Sequence, residues 1–212
     1  MRPVPPDVFR AANPLALFPT MVMAFELTHA EAVNQRILKF LRRHRRQFPL
    51  WQGKERPWQC HPNLHEEPAF EPLVRAVVEG ARAMADVTDT VVEDVRINGM
   101  WANWLLPGDH HPPHRHANSW ISGAYWVRTD EPSTIVFHHP LPPAIQPTLR
   151  QHTHANSTVW NIQAVPGQLV MFPSQLLHHV PTVSGERVSV SFNLLPTGQL
   201  LDPDTLQAAR FV

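Results

Sequence analysis

Residues 187–195 read Arg-Val-Ser-Val-Ser-Phe-Asn-Leu-Leu, and polar and apolar side chains alternate through most of the stretch. Alternation with a period of two marks a β-strand whose faces meet different surroundings. It puts Arg187, Ser189 and Asn193 on one face. Working outward, further runs rich in Val, Ile, Trp and Phe occupy 91–106, 120–127, 134–137, 158–164 and 168–172. Gly and Pro punctuate them at Pro107-Gly108, Pro166-Gly167, Pro173 and Ser184-Gly185. Short strands at this spacing predict a mainly β fold, a sandwich or jelly-roll barrel.

The first third of the chain reads as helical. Thr28 and Glu31 have the spacing of a capping box, and Val33, Ile37, Phe40 and Leu41 follow at helical intervals. The basic run Leu41–Arg46 closes that helix before Pro49 and suits the negative end of its dipole. A second helix is predicted from Phe70, Leu73, Val74, Val77, Val78 and Ala81, with Pro72 in its first turn. Both helices should pack outside the barrel. No linker divides the chain, so residues 1–212 form one expected domain, with 1–90 as helical support and 91–200 as the jelly-roll core. The Pro-rich stretch from His138 to Ser157 is long enough to act as a lid.

Acidic and basic residues balance at 18 each, which gives no overall field to attract nucleic acid or an anionic membrane. The arginines of Leu41–Arg46 are read as a solvated helix end rather than a nucleic-acid patch. A single cysteine, Cys60, rules out an internal disulfide and a thiolate zinc cluster. No apolar run approaches the roughly eighteen residues of a membrane span, and the N-terminus carries no signal-peptide pattern. The expectation is a soluble, cytoplasmic protein.

The chain contains 14 histidines, most of them between His110 and His179. His114 and His116 are two apart, so on a strand they would face one metal ion together. A third imidazole from a facing strand, His178 or its neighbour His179, would complete a triad and leave the opposite side of the ion open. Only one of those two can face the metal, because adjacent strand residues point oppositely. The sequence His152-Thr-His154-Ala-Asn-Ser157 repeats His114-Arg-His116-Ala-Asn-Ser119, but its setting among Pro, Gln and Thr offers a less rigid platform. Asn118 or a water is an alternative third ligand. Arg187 can clamp a carboxylate with two parallel hydrogen bonds, helped by Ser189. Asn103 and Asn193 are candidates to orient the same ligand. Trp104, Trp120, Tyr125 and Trp126 are read as core or pocket wall, and Cys60 as a packed thiol.

These residues resemble those of a family of 2-oxoglutarate- and Fe(II)-dependent oxygenases with a double-stranded β-helix fold. The resemblance spans most of the chain. Leu17-Phe18-Pro19-Thr20 is similar to the family's opening strand and Trp58-Gln59 to its Trp-Gln segment. More specific are His114-x-His116 leading into Ser122-Gly123-Ala124-Tyr125, then Phe172-Pro173-Ser174-x-Leu176-x-His178-x-Val180, and finally Arg187 through Asn193. The resemblance implies His178 as distal metal ligand, and Arg187 with Ser189 as the anchor of the C5 carboxylate of 2-oxoglutarate. It also implies Fe(II), 2-oxoglutarate and O2 as cofactor and co-substrates, with succinate and carbon dioxide released as a substrate C–H bond is hydroxylated, desaturated or cyclised. The chain departs from the wider superfamily at His116, where Asp or Glu is usual. Iron(II) on three neutral imidazoles would be charge-balanced by a doubly ionised 2-oxo acid.

Two other classes fit parts of the pattern. A three-histidine cupin enzyme would share Gly108 and His114-x-His116, but it wants a glutamate shortly afterwards, and residues 117–120 are Ala-Asn-Ser-Trp. A non-catalytic barrel that binds a ligand or a metal would need no 2-oxo acid. An amino acid, a peptide or a small metabolite all suit a neutral, moderately aromatic pocket. Oligomeric state is open, a homodimer included.

Overall fold

The alternating stretch is the start of the longest strand in the computed structural model, which describes residues 16–50, 53–54, 56–145 and 147–211. In chain order the elements are β1 (Met23–Glu26), α1 (Ala30–Gln47), β2 (Trp58–Gln59), α2 (Glu71–Val87), β3 (Asp94–Leu105), β4 (His111–His114) and β5 (Ile121–Thr129). They continue with β6 (Thr134–His138), β7 (Val159–Gln163), β8 (Gln168–Pro173), β9 (His178–Val180), β10 (Arg187–Leu200) and β11 (Ala209–Phe211). One sheet has the order β1-β8-β5-β10-β3-β2, with β11 on the far end of β10. A second, smaller sheet has the order β4-β9-β6-β7. These antiparallel sheets form the jelly roll expected from the sequence, a double-stranded β-helix.

The large sheet has two faces of opposite character. Val188, Val190, Phe192 and Leu194 of β10 join Met100, Ala102 and Trp104 of β3 in a core that the helices cover. The helices supply Val33, Ile37 and Leu41 from α1, and Leu73, Val77, Ala81 and Met84 from α2. Each such Leu or Ile contributes roughly 1.5–3 kcal/mol by leaving water. Tyr125 of β5 also donates to Asn34 Oδ1 at 2.7 Å, a polar tie between sheet and helix. On the opposite face, Ala124, Trp126, Val170 and Phe172 meet Ile135, Phe137 and Leu176 between the two sheets.

Local signals placed most elements, with two corrections. The N-cap of α1 is His29 in a left-handed conformation (φ 56°) without a side-chain cap, not a Thr28–Glu31 capping box. There the chain leaves β1 through a tight turn, with Leu27 N–H donating to the Gly167 carbonyl, and this docking decides where the helix starts. The opening strand is Met23–Glu26, paired with β8, whereas Leu17 and Phe18 are exposed and outside any strand. Three strands at the site, β2, β4 and β9, are too short or too rich in Pro and His to announce themselves. Pro112 and Pro113 are tolerated in β4 because it lies at a sheet edge.

Of the described glycines, Gly123 leaves the least room for a side chain. A Cβ there would lie 2.2 Å from Cζ of Phe192 and 2.4 Å from the Val170 carbonyl oxygen. At Gly80 of α2 the nearest obstacle is the sulfur of Met171 at 2.7 Å, the end of a flexible side chain. Gly123→Ala should therefore cost about 1–3 kcal/mol or more through overpacking, since a backbone oxygen cannot step aside. Gly80→Ala should stay within about 1 kcal/mol of wild type, because improved helix propensity offsets the clash. Urea unfolding followed by circular dichroism measures both, and equal losses would contradict this account.

Candidate metal centre

His114, His116 and His178 converge, with one ligand nitrogen of each lying within 4.8 Å of the others. Two strands and a turn bring them there. His114 ends β4 and stands directly opposite His178 on β9, so the two rings come from neighbouring strands of one sheet rather than from facing strands. His116 lies beyond the end of β4, where its N–H donates to the Ser174 carbonyl at 3.0 Å. The pair thus shares one side without both residues lying in a strand.

Hydrogen bonds fix the rings. Nδ1 of His114 meets the Pro112 carbonyl at 2.7 Å, and Nδ1 of His178 meets the Leu176 carbonyl at 2.9 Å. Nδ1 of His116 meets Asn193 Oδ1 at 2.6 Å. All three partners are oxygen acceptors, so each Nδ1 carries the proton and each Nε2 keeps its lone pair for a ligand. Burial pushes the His178 ring down to about 3, and burial also lowers His116. Both are therefore neutral at physiological pH, the form a metal requires. The donor set fits a divalent transition metal with open positions.

Asn193 lines the cavity and also holds one ring of the triad. Its Oδ1 also accepts from Ser122 Oγ at 2.7 Å, and Ser122 in turn lies 2.7 Å from Ser174 Oγ. A relay of Ser174, Ser122 and Asn193 therefore aims His116, whose ring stacks at 5.6 Å on Trp101. Asn103, with Oδ1 held by Gln59 at 2.7 Å and Nδ2 given to Ser191 at 2.9 Å, braces the cavity wall.

The triad opens into a cavity of about 520 Å³, also lined by Arg187, Ser189 and His111. Arg187 is 2% exposed, and its Nε has no hydrogen-bond partner. Burial pushes its guanidinium down to about 10, which still leaves it charged at neutral pH. A buried cation with an idle donor is costly unless an anion meets it. The cavity thus has metal-ligand chemistry and an anion-binding group on its walls.

Other candidates sit elsewhere. His179 points away from the triad and pairs with His138, Nδ1 to Nε2, at 2.9 Å. His152 and His154 are exposed, with the His154 ring 4.1 Å from Trp160, and they join no cluster of three metal-binding groups among the described residues. Asn118 occupies an exposed left-handed turn. Among the described residues, none from the 139–157 loop lines the cavity. Trp104, Tyr125 and Trp126 are buried, and Cys60 is packed with its thiol pushed up to about 12 by burial. Sequence reasoning missed His111, Ser122 and Ser191. His111 was hidden because β4 shifts register between His111 and His114, so counting by twos does not connect them.

Comparison with known proteins agrees with the family resemblance. Residues 99–193 match the family described as "Putative 2OG-Fe(II) oxygenase". No curated protein matches the chain in sequence. Among solved structures, a Pseudomonas putida prolyl-4-hydroxylase is similar with a TM-score of 0.58 and 13% identity, over 84% of this chain and 89% of the other. HygX from Streptomyces hygroscopicus, with nickel and 2-oxoglutarate bound, gives a TM-score of 0.55 and 15% identity over 91% and 92%. SnoN, a non-heme alpha-ketoglutarate-dependent epimerase from nogalamycin biosynthesis, gives 0.61 and 10% over 91% and 79%. At these identities the likeness is one of fold. The family match covers residues 99–193, a little under half of the chain, and the solved structures share its fold.

His116→Ala should lose bound metal while His154→Ala keeps it, as read by metal content after desalting. The opposite result would move the centre to the second His-x-His copy. Asn193→Ala should weaken metal affinity by about 10–100-fold with all three ligands present. Competition with a chelating dye measures it, and unchanged affinity would remove Asn193 from the relay.

Proposed function

We propose that the protein is an Fe(II)- and 2-oxoglutarate-dependent dioxygenase. One observation carries the reading: three imidazoles with free Nε2 atoms share a cavity with a buried guanidinium that lacks a partner at Nε. His114, His116 and His178 would hold the iron, leaving positions for a chelating 2-oxo acid and for oxygen. Arg187 and Ser189 would bind the distal carboxylate of 2-oxoglutarate through charge-assisted hydrogen bonds, with Asn103 keeping that wall in place. Iron bound there would supply oxygen activation in which one oxygen atom enters succinate as carbon dioxide leaves, and the other is available to oxidise a substrate C–H bond.

The chain's own part is positional. The Nδ1 hydrogen bonds hold three rings at one orientation, so the metal meets a preorganised face. The apolar wall of Ala124, Ile135 and Phe172 limits water around the reacting groups. Trp101, half-buried beside His116, offers a flat surface to a substrate. Hydroxylation of an amino acid, peptide or small metabolite is the reaction we assign, with desaturation and cyclisation as variants of the same oxidation. No helix among the described residues is long and apolar enough to cross a membrane. A three-histidine cupin chemistry without a 2-oxo acid would share the triad but give Arg187 no role.

Under anaerobic conditions, Fe(II) followed by 2-oxoglutarate should produce the visible charge-transfer band of the chelate, and oxygen should then yield succinate. Absence of both from metal-loaded protein would defeat the proposal. Arg187→Ala should raise the 2-oxoglutarate concentration needed for the band by at least about tenfold, the scale of a lost charged hydrogen bond, while iron stays bound. Loss of iron with unchanged co-substrate affinity would contradict the role of Arg187.

A further inference from the structure

His111 is a polar group in the cavity that neither the triad nor the Arg187–Ser189 pair accounts for. It opens β4, three residues before His114, and its ring centroid lies 6.4 Å from that of His114. The side chain lines the same cavity as Arg187, and its Nε2 is shielded from solvent without a hydrogen-bond partner. Burial, with the Arg187 charge adding to it, pushes the ring down to about 4, so it is neutral and carries one N–H. Two buried nitrogens of different elements, Arg187 Nε and His111 Nε2, are therefore both idle in one cavity. Two such orphans are unfavourable, and a single oxygen-bearing ligand group can satisfy both.

We infer that His111 is a third anchor for the distal carboxylate of the 2-oxo diacid, donating from Nε2 beside Arg187. This rests on the oxygenase reading, under which a diacid spans the cavity from the triad to Arg187. His111 has the right place for that span: its ring neighbours that of His114 at the metal end, and it lines the same cavity as Arg187. A carboxylate accepts through two oxygens and about four lone pairs, so it can take bonds from Arg187, Ser189 and His111 together. A neutral donor adds affinity without a second positive charge to desolvate. His111 would then favour a chelating acid that has a distal carboxylate over one that does not.

The test compares two chelating acids in metal-loaded, anaerobic protein by calorimetry: 2-oxoglutarate, and oxalate, which lacks a distal carboxylate. His111→Phe keeps a ring of similar size but removes the N–H. It should weaken 2-oxoglutarate binding by about tenfold and change oxalate binding less than about twofold. His111→Gln, which restores a donor, should recover part of the loss, and metal content and melting temperature should match wild type in the variant used. Equal effects on the two acids, or no effect on either, would overturn the assignment of His111. Wild-type protein that holds metal yet shows no 2-oxoglutarate binding would instead defeat the oxygenase reading, and the His111 role with it.

Discussion

Strand β10 has to satisfy two environments at once, and the rest of the structure is arranged around that constraint. Its even positions, Val188, Val190, Phe192 and Leu194, enter the core beneath α1 and α2. Its odd positions, Arg187, Ser189, Ser191 and Asn193, line the cavity. A slip of one residue would exchange the sets, putting a guanidinium against the helices and valines against the triad. Pairing on both sides, with β3 and β5, holds the register. Gly123 then allows Phe192 to lie close against β5. The hydrophobic face thus sets the position of the polar face, so stability and site geometry share one cause.

The triad depends on the same strand from its other side. Asn193 reaches His116, which lies outside regular structure and would otherwise be aimed only by its own backbone. His114 and His178 need less help, because each has a nearby carbonyl for Nδ1 and they stand opposite each other in β4 and β9. An amide oxygen on His116 leaves that ring neutral. Three neutral donors hold a dication less tightly than a set containing a carboxylate, which makes the Ser174–Ser122–Asn193 relay the main compensation visible in the protein.

Much of the site was legible because its chemistry follows simple intervals. The interval of two in Arg187–Asn193 placed those side chains on the cavity face, and the rule that neighbouring strand residues point oppositely separated His178 from His179, with the family resemblance favouring His178, the one that joins the cluster. The same rule failed in β4. There a register shift breaks the count, so His111 escaped notice and His116 was credited to a strand that ends two residues earlier. Asn193 lies on the cavity face as its spacing implied, but its bond to His116 was not foreseen, because a face does not say which atom across the sheet will bond to it.

The order of polar and apolar residues was sufficient to call the barrel, the two supporting helices, and a histidine–arginine cavity on one face of the central strand. Periodicity is a local property, and those elements bury enough apolar surface to enforce it. Folding was needed to define the short strands β2, β4 and β9, the helix start at His29, the aim of His116 and the idle nitrogens of His111 and Arg187. These depend on partners far along the chain, 77 residues apart in the His116–Asn193 bond. Contacts of that range arise when sheets close on one another, and no local interval in the chain encodes them.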